Sequence, residues 1–477
     1  MPEKLEHIFK TPSIEKTIER LDVLGELEKE KDKELEVPQA REKTERLLEL
    51  DKRWSKELEP LVEGLDMTTL VAVKGREGRS TDEEKDDFLK SLDKPESNFN
   101  PTFEYPHLKK YNLDQIETSL RKLKGRIKQE EPEVVINELY RYKVNVEIAQ
   151  VMLAKNILLK NDRNTFRYAK FIYGEVTDEL FQRAQERYKE MLKQATEKKE
   201  EKKESKYKDL AKKIYRAEDI KKYFTMALQE YGLEGRWKVE ISKRAKVITV
   251  KQRAEGGPEI LIPPKRKVNP RELIRLIAHE VETHVLRAEN GRLSGLEILK
   301  GNIGLDRHHF TEEGLAILRE NMVIKEVFKE KERKALSWYA LAMYRVKQGA
   351  NFRETFLDIY EKRKKILLAK NKDEEKADQQ AKRMSWGTCR RIFRGMTDLS
   401  SRNGYYFPMD LAYLAGEMEV EKLLKKGYGQ YLELGKTNIR ALPDIVNLGI
   451  RPENIRYPYK NVAKKIWEEE LRPGHLI

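Results

Sequence analysis

The stretch His279-Glu-Val-Glu-Thr-His284 lies within residues 271–286, where apolar side chains recur at helical spacing. Two histidines with a glutamate directly after the first are typical of zinc-binding helices. In the common form of this pattern the histidines are four residues apart and share one helical face, so both imidazoles reach the same metal ion. In this chain they are five residues apart.

The five-residue spacing conflicts with a regular α-helix. At about 100° per residue, four steps return a side chain to within about 40° of its starting direction, but five steps leave it about 140° away. One extra residue in the helix, as in a π-bulge, brings both imidazoles to the same side, and such distortions are frequent at functional sites. If the motif binds a metal ion, it predicts a deformed helix.

The length and charge of the chain limit its class. The chain has 477 residues and is longer than one simple hydrophobic core accommodates, so its length predicts two or more lobes. Lys and Arg (97) outnumber Asp and Glu (83), which suits an acidic partner such as nucleic acid, an anionic membrane or an acidic protein tail. Opposite charges are mixed, as in residues 198–208, so the pattern favours solvated helix surface over nucleic-acid binding.

Cysteine usage and the N-terminus indicate a compartment. Cys389 is the single cysteine, which excludes an internal disulfide and a cysteine-based zinc cluster and favours a reducing compartment. Residues 1–10 carry charges where a signal peptide needs an apolar core, and no stretch approaches the roughly 18 apolar residues of a membrane span. We therefore expect a soluble, cytoplasmic protein with no membrane partner.

Composition and periodicity predict an α+β, mostly helical fold. Residues 1–95 are charged and helix-permissive, and form a predicted accessory segment. The remainder is the predicted main domain, 96–477, with a helical lobe (96–205), a region of sheet and metal-binding helices (206–325) and a C-terminal helical lobe (326–477).

The predicted sheet directly precedes the histidines. Residues 237–242, 246–251 and 259–262 are short, rich in β-branched side chains and bounded by charged or Gly/Pro turns, which predicts three strands. Asn269 and Pro270 then provide an N-cap and a first-turn proline for the helix that carries the histidines. Because a small sheet followed by a metal-binding helix is the zincin order, we expect a zincin-like architecture with surrounding helical lobes.

A catalytic zinc site needs a third protein ligand and one open position. Glu313 is the candidate, because Gly314 and Ala316 beside it permit close packing of its helix against a neighbour. We interpret Glu312 as a helix cap and Glu320 as a surface charge.

The remaining acid–base and metal-binding candidates are few. Glu280 follows the first histidine, and there a carboxylate can take a proton from zinc-bound water as the water attacks a peptide carbonyl. His308 and His309 precede a predicted helix, and we interpret them as surface groups or as partners of a metal ligand, and not as ligands themselves.

Four motifs occur together along the chain. The first extends from His279 to Gly291, and the others are Thr-Glu-Glu-Gly-Leu-Ala (311–316), Arg-Ile-Phe-Arg-Gly (391–395) and Phe-Pro-x-Asp-x-x-Tyr-Leu-x-Gly (407–416). Over residues 100–427 the chain resembles the tyrosine carboxypeptidase family. That family includes eukaryotic microtubule-associated enzymes, which remove the C-terminal tyrosine of α-tubulin, and bacterial relatives. It also has the five-residue histidine spacing.

The resemblance implies a zinc metallopeptidase of gluzincin type, with the HExxxH motif. By that resemblance His279, His284 and Glu313 bind Zn²⁺ and Glu280 is the catalytic base. The implied activity is release of a C-terminal residue, expected to be aromatic (Tyr or Phe). The expected partner is a protein or peptide with a free C-terminal carboxylate, and the basic charge of the chain suits an acidic tail.

An exopeptidase of this kind also needs a cation that holds the terminal carboxylate of its substrate. The candidates are Arg391, Arg394 and Arg287, for which the alternative is a salt bridge to Asp410 or Glu417.

A hydrogen-bond donor for the tetrahedral oxyanion is the last catalytic group expected. Tyr413 and Tyr406 are the candidates, and the alternative is that each packs with its hydroxyl already satisfied.

Other functions on the same scaffold stay open. A zinc endopeptidase or aminopeptidase would lack the carboxylate-binding cation. A non-catalytic regulatory binding protein would have a disrupted site, whereas both histidines and both glutamates are intact here. Two positions depart from the family pattern: Glu312 stands where the bacterial pattern has Gln, and Glu282 where Gly is commoner.

Overall fold

The computed structural model describes most of the chain. The described residues are 13–31, 37–63, 65, 71–76, 79–94, 96–105, 108, 111–130, 135–197, 213–252, 256–300, 303–305, 307–328, 337–370, 372–454 and 457–472. The charge-rich residues 198–208, for which we predicted helix surface, lie outside these ranges.

The described part is mostly helical, as predicted. Before the sheet come α1 (Ile14–Lys31), α2 (Val37–Val62), α3 (Thr81–Ser91), α4 (Leu113–Gln129), α5 (Val135–Leu158), α6 (Asp162–Tyr173) and α7 (Asp178–Glu197). The sheet region contains α8 (Ala217–Glu230), α9 (Pro270–Leu276) and α10 (Leu286–Leu293). The later helices are α11 (His308–Phe328), α12 (Trp338–Lys347), α13 (Phe352–Ala369), α14 (Glu374–Ile392), α15 (Leu411–Lys425), α16 (Leu442–Asn447) and α17 (Val462–Ile466). Among the described helices, none has the length and apolar character that a bilayer crossing requires.

A first, helical core joins the predicted N-terminal segment to the C-terminal lobe. Phe88 of α3 is fully buried, with its ring 5.2 Å from that of Phe352 and 4.9 Å from that of Phe356, both edge-to-face. Trp54 of α2 is also fully buried, and its indole N–H donates to the side chain of Asn137 at 2.8 Å. The helices of residues 14–91 therefore share the core of the later helices.

The three-stranded sheet belongs to a second core. β2 (Lys238–Ile241), β3 (Thr249–Lys251) and β4 (Glu259–Ile262) lie within the three predicted strand segments, and β4 is central, parallel to β2 and antiparallel to β3. All four residues of β4 are buried, which accounts for the three consecutive apolar residues after Glu259. A second pair joins β1 (Tyr215–Arg216) to β5 (Lys267–Val268). The small sheet before the histidine helix is thus confirmed.

The histidine helix begins as predicted and is deformed as the spacing requires. The Asn269 side chain accepts a hydrogen bond from the Glu272 backbone N–H at 2.8 Å, and Pro270 occupies the first turn. After α9 the backbone is π-helical over Ile277–Val285 and returns to α-helix in α10. Within the π-helical segment the Thr283 hydroxyl donates to the carbonyl of Ala278, five residues earlier. This deformation is the geometry on which the site rests.

Two glycines bring α11 and α15 into backbone contact. A Cβ atom placed on Gly314 would lie 2.2 Å from the carbonyl carbon of Gly416, and one on Gly416 would lie 2.0 Å from the carbonyl oxygen of Phe310. No side chain larger than hydrogen fits at either position without moving a helix. The close approach expected from Gly314 is therefore present, and it fixes the helix that carries Glu313.

Replacing Gly314 with alanine tests this contact. We expect Gly314→Ala to lower the free energy of unfolding by about 3 kcal/mol, because overpacking forces the two backbones apart. Scanning calorimetry should show a lower thermal midpoint. The matched control is Gly125→Ala in α4, where nothing lies within 4 Å of the added Cβ; it should raise stability by up to about 1 kcal/mol, because alanine favours helix over glycine. Equal midpoints for the two variants would contradict the backbone contact.

Candidate active site

The π-helical segment directs the two histidines to one side. The ring centroids of His279 and His284 are 4.9 Å apart, although a regular helix would separate their directions by about 140°. Because π-helical hydrogen bonds join residues five apart, side chains at that spacing lie on one face. The deformation therefore produces the pairing that the sequence motif requires.

Glu313 of α11 lies opposite this pair. Its Oε2 is 3.7 Å from Nε2 of His279, and its Oε1 is 3.9 Å from Nε2 of His284. Both Nε2 atoms thus face a single carboxylate from a second helix. The structure brings together the three residues expected as metal ligands.

The separations fit a zinc ion. Zinc–ligand bonds of about 2.0–2.2 Å at tetrahedral angles place two ligand atoms about 3.3–3.6 Å apart. The 3.7 and 3.9 Å between the imidazole Nε2 atoms and the Glu313 oxygens are only a few tenths of an ångström longer. One potential ligand atom each from His279, Glu280 and His284 lie within 4.8 Å of one another, whereas Glu313 approaches the two imidazoles with different carboxylate oxygens. In the described ranges this is the one group of three or more such side chains with that proximity. The donor set, imidazole and carboxylate, is one that zinc prefers.

The other nitrogen of each imidazole is held by a carboxylate of α11. Nδ1 of His279 lies 2.8 Å from Oε1 of Glu320, and Nδ1 of His284 lies 3.1 Å from Oε1 of Glu312. Both carboxylates are buried, so interpreting Glu312 as a cap and Glu320 as a surface charge was wrong. A carboxylate on Nδ1 fixes the orientation and tautomer of a metal-binding histidine and leaves Nε2 free for the ion.

Two partly buried cations balance these two carboxylates. Lys436 pairs with Glu312, and Arg275 lies 3.0 Å from Glu320. Although burial alone would raise the pKa of each carboxyl, Lys436 and His284 hold the pKa of Glu312 well below its usual range, and the hydrogen bond from His279 lowers that of Glu320. Both groups are therefore anionic acceptors at neutral pH.

The field at the histidines is negative. Burial by itself would lower the pKa of His279, but the hydrogen bond to Glu320 and the charges of Glu280 and Glu313 raise it to about 10. The same charges favour any cation at this position. Burial raises the pKa of Glu280, and the positive charges of the nearby histidines oppose that rise only in part.

Arg391, Arg394 and Tyr413 form a cluster that extends from Glu313. Arg391 bonds to one oxygen of Asp410 and Arg394 to the other at 2.8 Å, so the salt bridge considered for them involves Asp410. Arg391 also donates to the Tyr413 hydroxyl. Burial and then the charge of Glu313 raise the pKa of Tyr413 to about 12, which keeps its hydroxyl protonated at neutral pH.

Two expected site residues have structural roles instead. Arg287 is fully buried, and its guanidinium donates to the carbonyl oxygens of Leu432, Gly435 and Thr437, so it has no face for a substrate. Tyr406 is also fully buried, and its hydroxyl accepts the backbone N–H of Val176 at 3.0 Å. Glu417, the other acid considered for the arginines, bonds to Arg187 at 2.7 and 2.9 Å.

His308 and His309 lie outside the ligand set. Nδ1 of His308 donates to the carbonyl of Leu305 at 2.7 Å, and burial lowers the pKa values of the two imidazoles to about 3 and about 4. Both are neutral at pH 7. They line a small cavity of about 190 Å³ beside Lys143, at the beginning of α11.

These features define a class of protein: one with a site suited to a divalent metal ion, built from two imidazoles and a carboxylate, with a buried carboxylate beside it. A family model described as microtubule-associated tyrosine carboxypeptidase matches residues 86–452. The chain belongs to that family, which confirms the resemblance read from its motifs and implies carboxypeptidase activity on a protein substrate. A comparison with curated proteins gives no match.

The structural role of Arg287 can be tested through stability. We expect Arg287→Met to lower the free energy of unfolding by about 3–5 kcal/mol, because three buried carbonyls lose their donor. Urea unfolding followed by circular dichroism measures the loss. The control is Arg345→Met on α12, where the side chain is exposed and a change within about 0.5 kcal/mol is expected. If Arg287→Met were as stable as the unsubstituted protein but bound substrate more weakly, Arg287 would belong to the substrate site.

Proposed function

We propose that the protein is a zinc-dependent metallocarboxypeptidase that releases one C-terminal residue, preferentially aromatic, from a protein or peptide. The observation that carries the proposal is the convergence of both imidazole Nε2 atoms on Glu313, within 3.7 and 3.9 Å, beside Glu280. His279, His284 and Glu313 would hold the ion. Zinc bound there supplies Lewis-acid chemistry, because it polarises a carbonyl and makes a water more acidic.

Glu280 is the proposed general base. It takes a proton from the attacking water as the C–O bond forms, and it delivers that proton to the leaving nitrogen as the C–N bond breaks. Burial raises the pKa of its carboxyl above the ordinary value, which makes the carboxylate a stronger base. Tyr413, close to Glu313 and protonated, is the proposed donor to the oxyanion.

Arg391 is the proposed ligand of the substrate carboxylate. Its side chain keeps 38% of its surface exposed, whereas that of Arg394 keeps 12%. Arg394 is engaged with Asp410 and with the carbonyl of Arg391, so it positions the pair. The Arg391 guanidinium lies 5.1 Å from the Tyr339 ring centroid and 6.0 Å from that of Tyr413, which offers an aromatic surface next to the carboxylate position.

The arginine cluster also separates this proposal from its alternatives. An endopeptidase or aminopeptidase on the same scaffold has no use for a cation that bonds to Tyr413, a side chain near enough to Glu313, the proposed metal ligand, for its charge to raise the pKa of Tyr413. A regulatory binding protein has no need of buried carboxylates that orient the imidazoles. Tubulin is not implied by any of these contacts, and the substrate is left as a protein or peptide with a free C-terminus.

A peptide series tests the exopeptidase proposal. The zinc-loaded protein is incubated with peptides ending in Tyr, Phe, Ala or amidated Tyr, and the products are followed by mass spectrometry. We expect loss of a single residue from the free acids, fastest for Tyr and Phe, and none from the amide, because Arg391 requires a negative carboxylate. Cuts at internal bonds would refute an exopeptidase.

Two variants control this assay. Glu280→Gln should lose about 10²-fold or more in turnover, because the base is absent, and should still bind zinc. Arg391→Gln should raise KM about tenfold or more for the free acids, because one charge-assisted hydrogen bond is lost. An unchanged rate in zinc-loaded Glu280→Gln would remove Glu280 from the mechanism.

The carboxylate on Nδ1 of His279 can be tested by metal binding alone. We expect Glu320→Gln to weaken zinc affinity by about 10–100-fold, because the imidazole loses the partner that orients it and increases its basicity. Competition with a fluorescent chelator measures the dissociation constant. Glu326→Gln is the matched control on the same helix, where the carboxylate contacts Asn461 and Lys464 instead. Equal affinities in both variants would mean that Glu320 does not support the ion.

A further inference from the structure

Residues 457–472 pack against the helix that carries the histidines. This segment follows residue 452, where the match to the family model ends, and it contains α17 and a short π-helical stretch, Trp467–Leu471. Its buried apolar side chains share the second core with those of the π-helical segment Ile277–Val285; they are Val462, Ala463, Ile466, Trp467 and Leu471. The 457–472 segment is therefore part of the core on which the site helix rests.

One buried carboxylate connects the 457–472 segment to the site helix. Glu282 is fully buried, two residues before His284, and its Oε1 accepts the backbone N–H of Val462 at 2.6 Å. Its Oε2 accepts the backbone N–H of Ala463 at 3.2 Å. The first N–H groups of a helix have no acceptor within that helix. Glu282 supplies one to α17, although the two lie 180 residues apart in sequence.

The turn that leads into α17 is built around this carboxylate. The Tyr231 hydroxyl donates to Glu282 Oε1 at 2.9 Å and accepts the backbone N–H of Lys460 at 3.0 Å. Asn461 then adopts a left-handed conformation with φ of 54°, which is uncommon outside glycine, and its side chain donates to Glu326 at 3.0 Å. The chain thus turns so that the next two backbone N–H groups face Glu282.

The backbone of Glu282 is held from outside its own helix as well. Arg319 of α11 donates to the Glu282 carbonyl oxygen, and its guanidinium lies 4.4 Å from the centroid of the Tyr459 ring. A change from π-helical to α-helical hydrogen bonding would rotate later side chains relative to earlier ones. Glu282 could not keep its bonds to α17 and Arg319 through such a change.

We propose that Glu282 is a positioning residue through which the 457–472 segment holds the π-helical register that brings His279 and His284 to one side. The inference rests on the proposed zinc-dependent function, because it concerns two ligands of that site. A π-turn is unfavourable by itself, so contacts from outside the helix decide how often the metal-binding register is populated. The apparent metal affinity falls in proportion to that population.

Hydrogen exchange in the metal-free protein tests the register without metal or substrate. We expect Glu282→Gln to speed exchange of the backbone amides in Ile277–Val285 about tenfold or more, because the helix opens more often when α17 no longer holds it. Tyr231→Phe removes one hydrogen bond to Glu282 and keeps the packing, and should give a smaller increase in the same amides. Exchange in this segment that stays unchanged in both variants would overturn the proposal.

Cobalt substitution measures the effect at the ligands. The visible absorption of bound Co²⁺ depends on the geometry of its ligands, so a change in the placement of the two imidazoles changes the spectrum. We expect Glu282→Gln to alter the spectrum and to weaken Co²⁺ and Zn²⁺ binding about tenfold, as for a register populated about a tenth of the time. A residue that acts only on global stability would lower the thermal midpoint and leave spectrum and affinity unchanged, which would refute the positioning role.

Glu289→Gln is the matched control. Glu289 is also a buried carboxylate, but it lies in the regular helix α10, where it accepts hydrogen bonds from Arg236 and Trp237 at 2.6 and 2.9 Å. We expect this variant to have a lower thermal midpoint, with exchange in Ile277–Val285, the Co²⁺ spectrum and the metal affinity as in the unsubstituted protein. Equal changes in Glu282→Gln and Glu289→Gln would mean a general loss of stability and would overturn the proposal.

A change at the far end of the 457–472 segment tests whether the segment acts through Glu282. The Trp467 ring lies 4.6 Å from that of Phe328 on α11. Trp467→Leu weakens this packing and should speed exchange in Ile277–Val285 as Glu282→Gln does. The double variant should show no more than the larger single effect, because both changes break one link. Fully additive effects would show that the two residues act separately, against the proposal.

The readouts separate this inference from the proposed function. If the unsubstituted protein bound neither Co²⁺ nor Zn²⁺, the zinc-dependent function would fail, while exchange in the metal-free protein would still report whether the 457–472 segment holds the register. If the protein bound zinc and released C-terminal residues, but Glu282→Gln left exchange and metal affinity unchanged, the carboxypeptidase would stand and the role of Glu282 would be refuted.

Discussion

The π-helical register of residues 277–285 is the constraint on which the site depends. With α-helical hydrogen bonds, His284 would turn away from His279, and Glu312 and Glu320 could not both reach an imidazole Nδ1 from the same neighbouring helix. A π-turn is intrinsically unfavourable and rare. It persists here because the segment is packed into the second core and because Thr283 bonds to the carbonyl of Ala278. Local strain and packing are thus balanced at the functional centre.

Buried charge is the second cost of this site. Glu280, Glu312 and Glu320 are buried, and desolvation opposes the ionised form of each. Lys436 and Arg275 offset two of these charges, and the imidazoles offset more. A divalent ion would offset the remainder, which is why carboxylates at such positions are understandable in a metal site and costly without one.

Much of this arrangement was predictable from the sequence, for identifiable reasons. The histidine spacing implied a deformed helix, the β-branched segments gave three strands, and Gly314 marked a close contact. Glu312 and Glu320 were misinterpreted, although with Ala316 they recur every four residues and so share one face; sequence does not reveal which helix that face meets. Arg287 and Tyr406 were misplaced because residue type does not disclose burial, and their partners, such as Leu432 and Val176, are distant in sequence.

The contact between Gly314 and Gly416 also affects the size of the fragment that the proposed enzyme would release. Glu313 lies on one of the touching helices and Tyr413 on the other, which Asp410 directly precedes. Arg391, at the end of α14, bonds to Asp410. Two backbones in contact can neither approach further nor separate without breaking the core, so the distance from Glu313 to Tyr413 and to Asp410 is fixed, and Asp410 in turn holds the Arg391 guanidinium. In the proposed carboxypeptidase such a fixed distance would limit the released fragment to one residue, because the terminal carboxylate of a longer fragment would not meet Arg391.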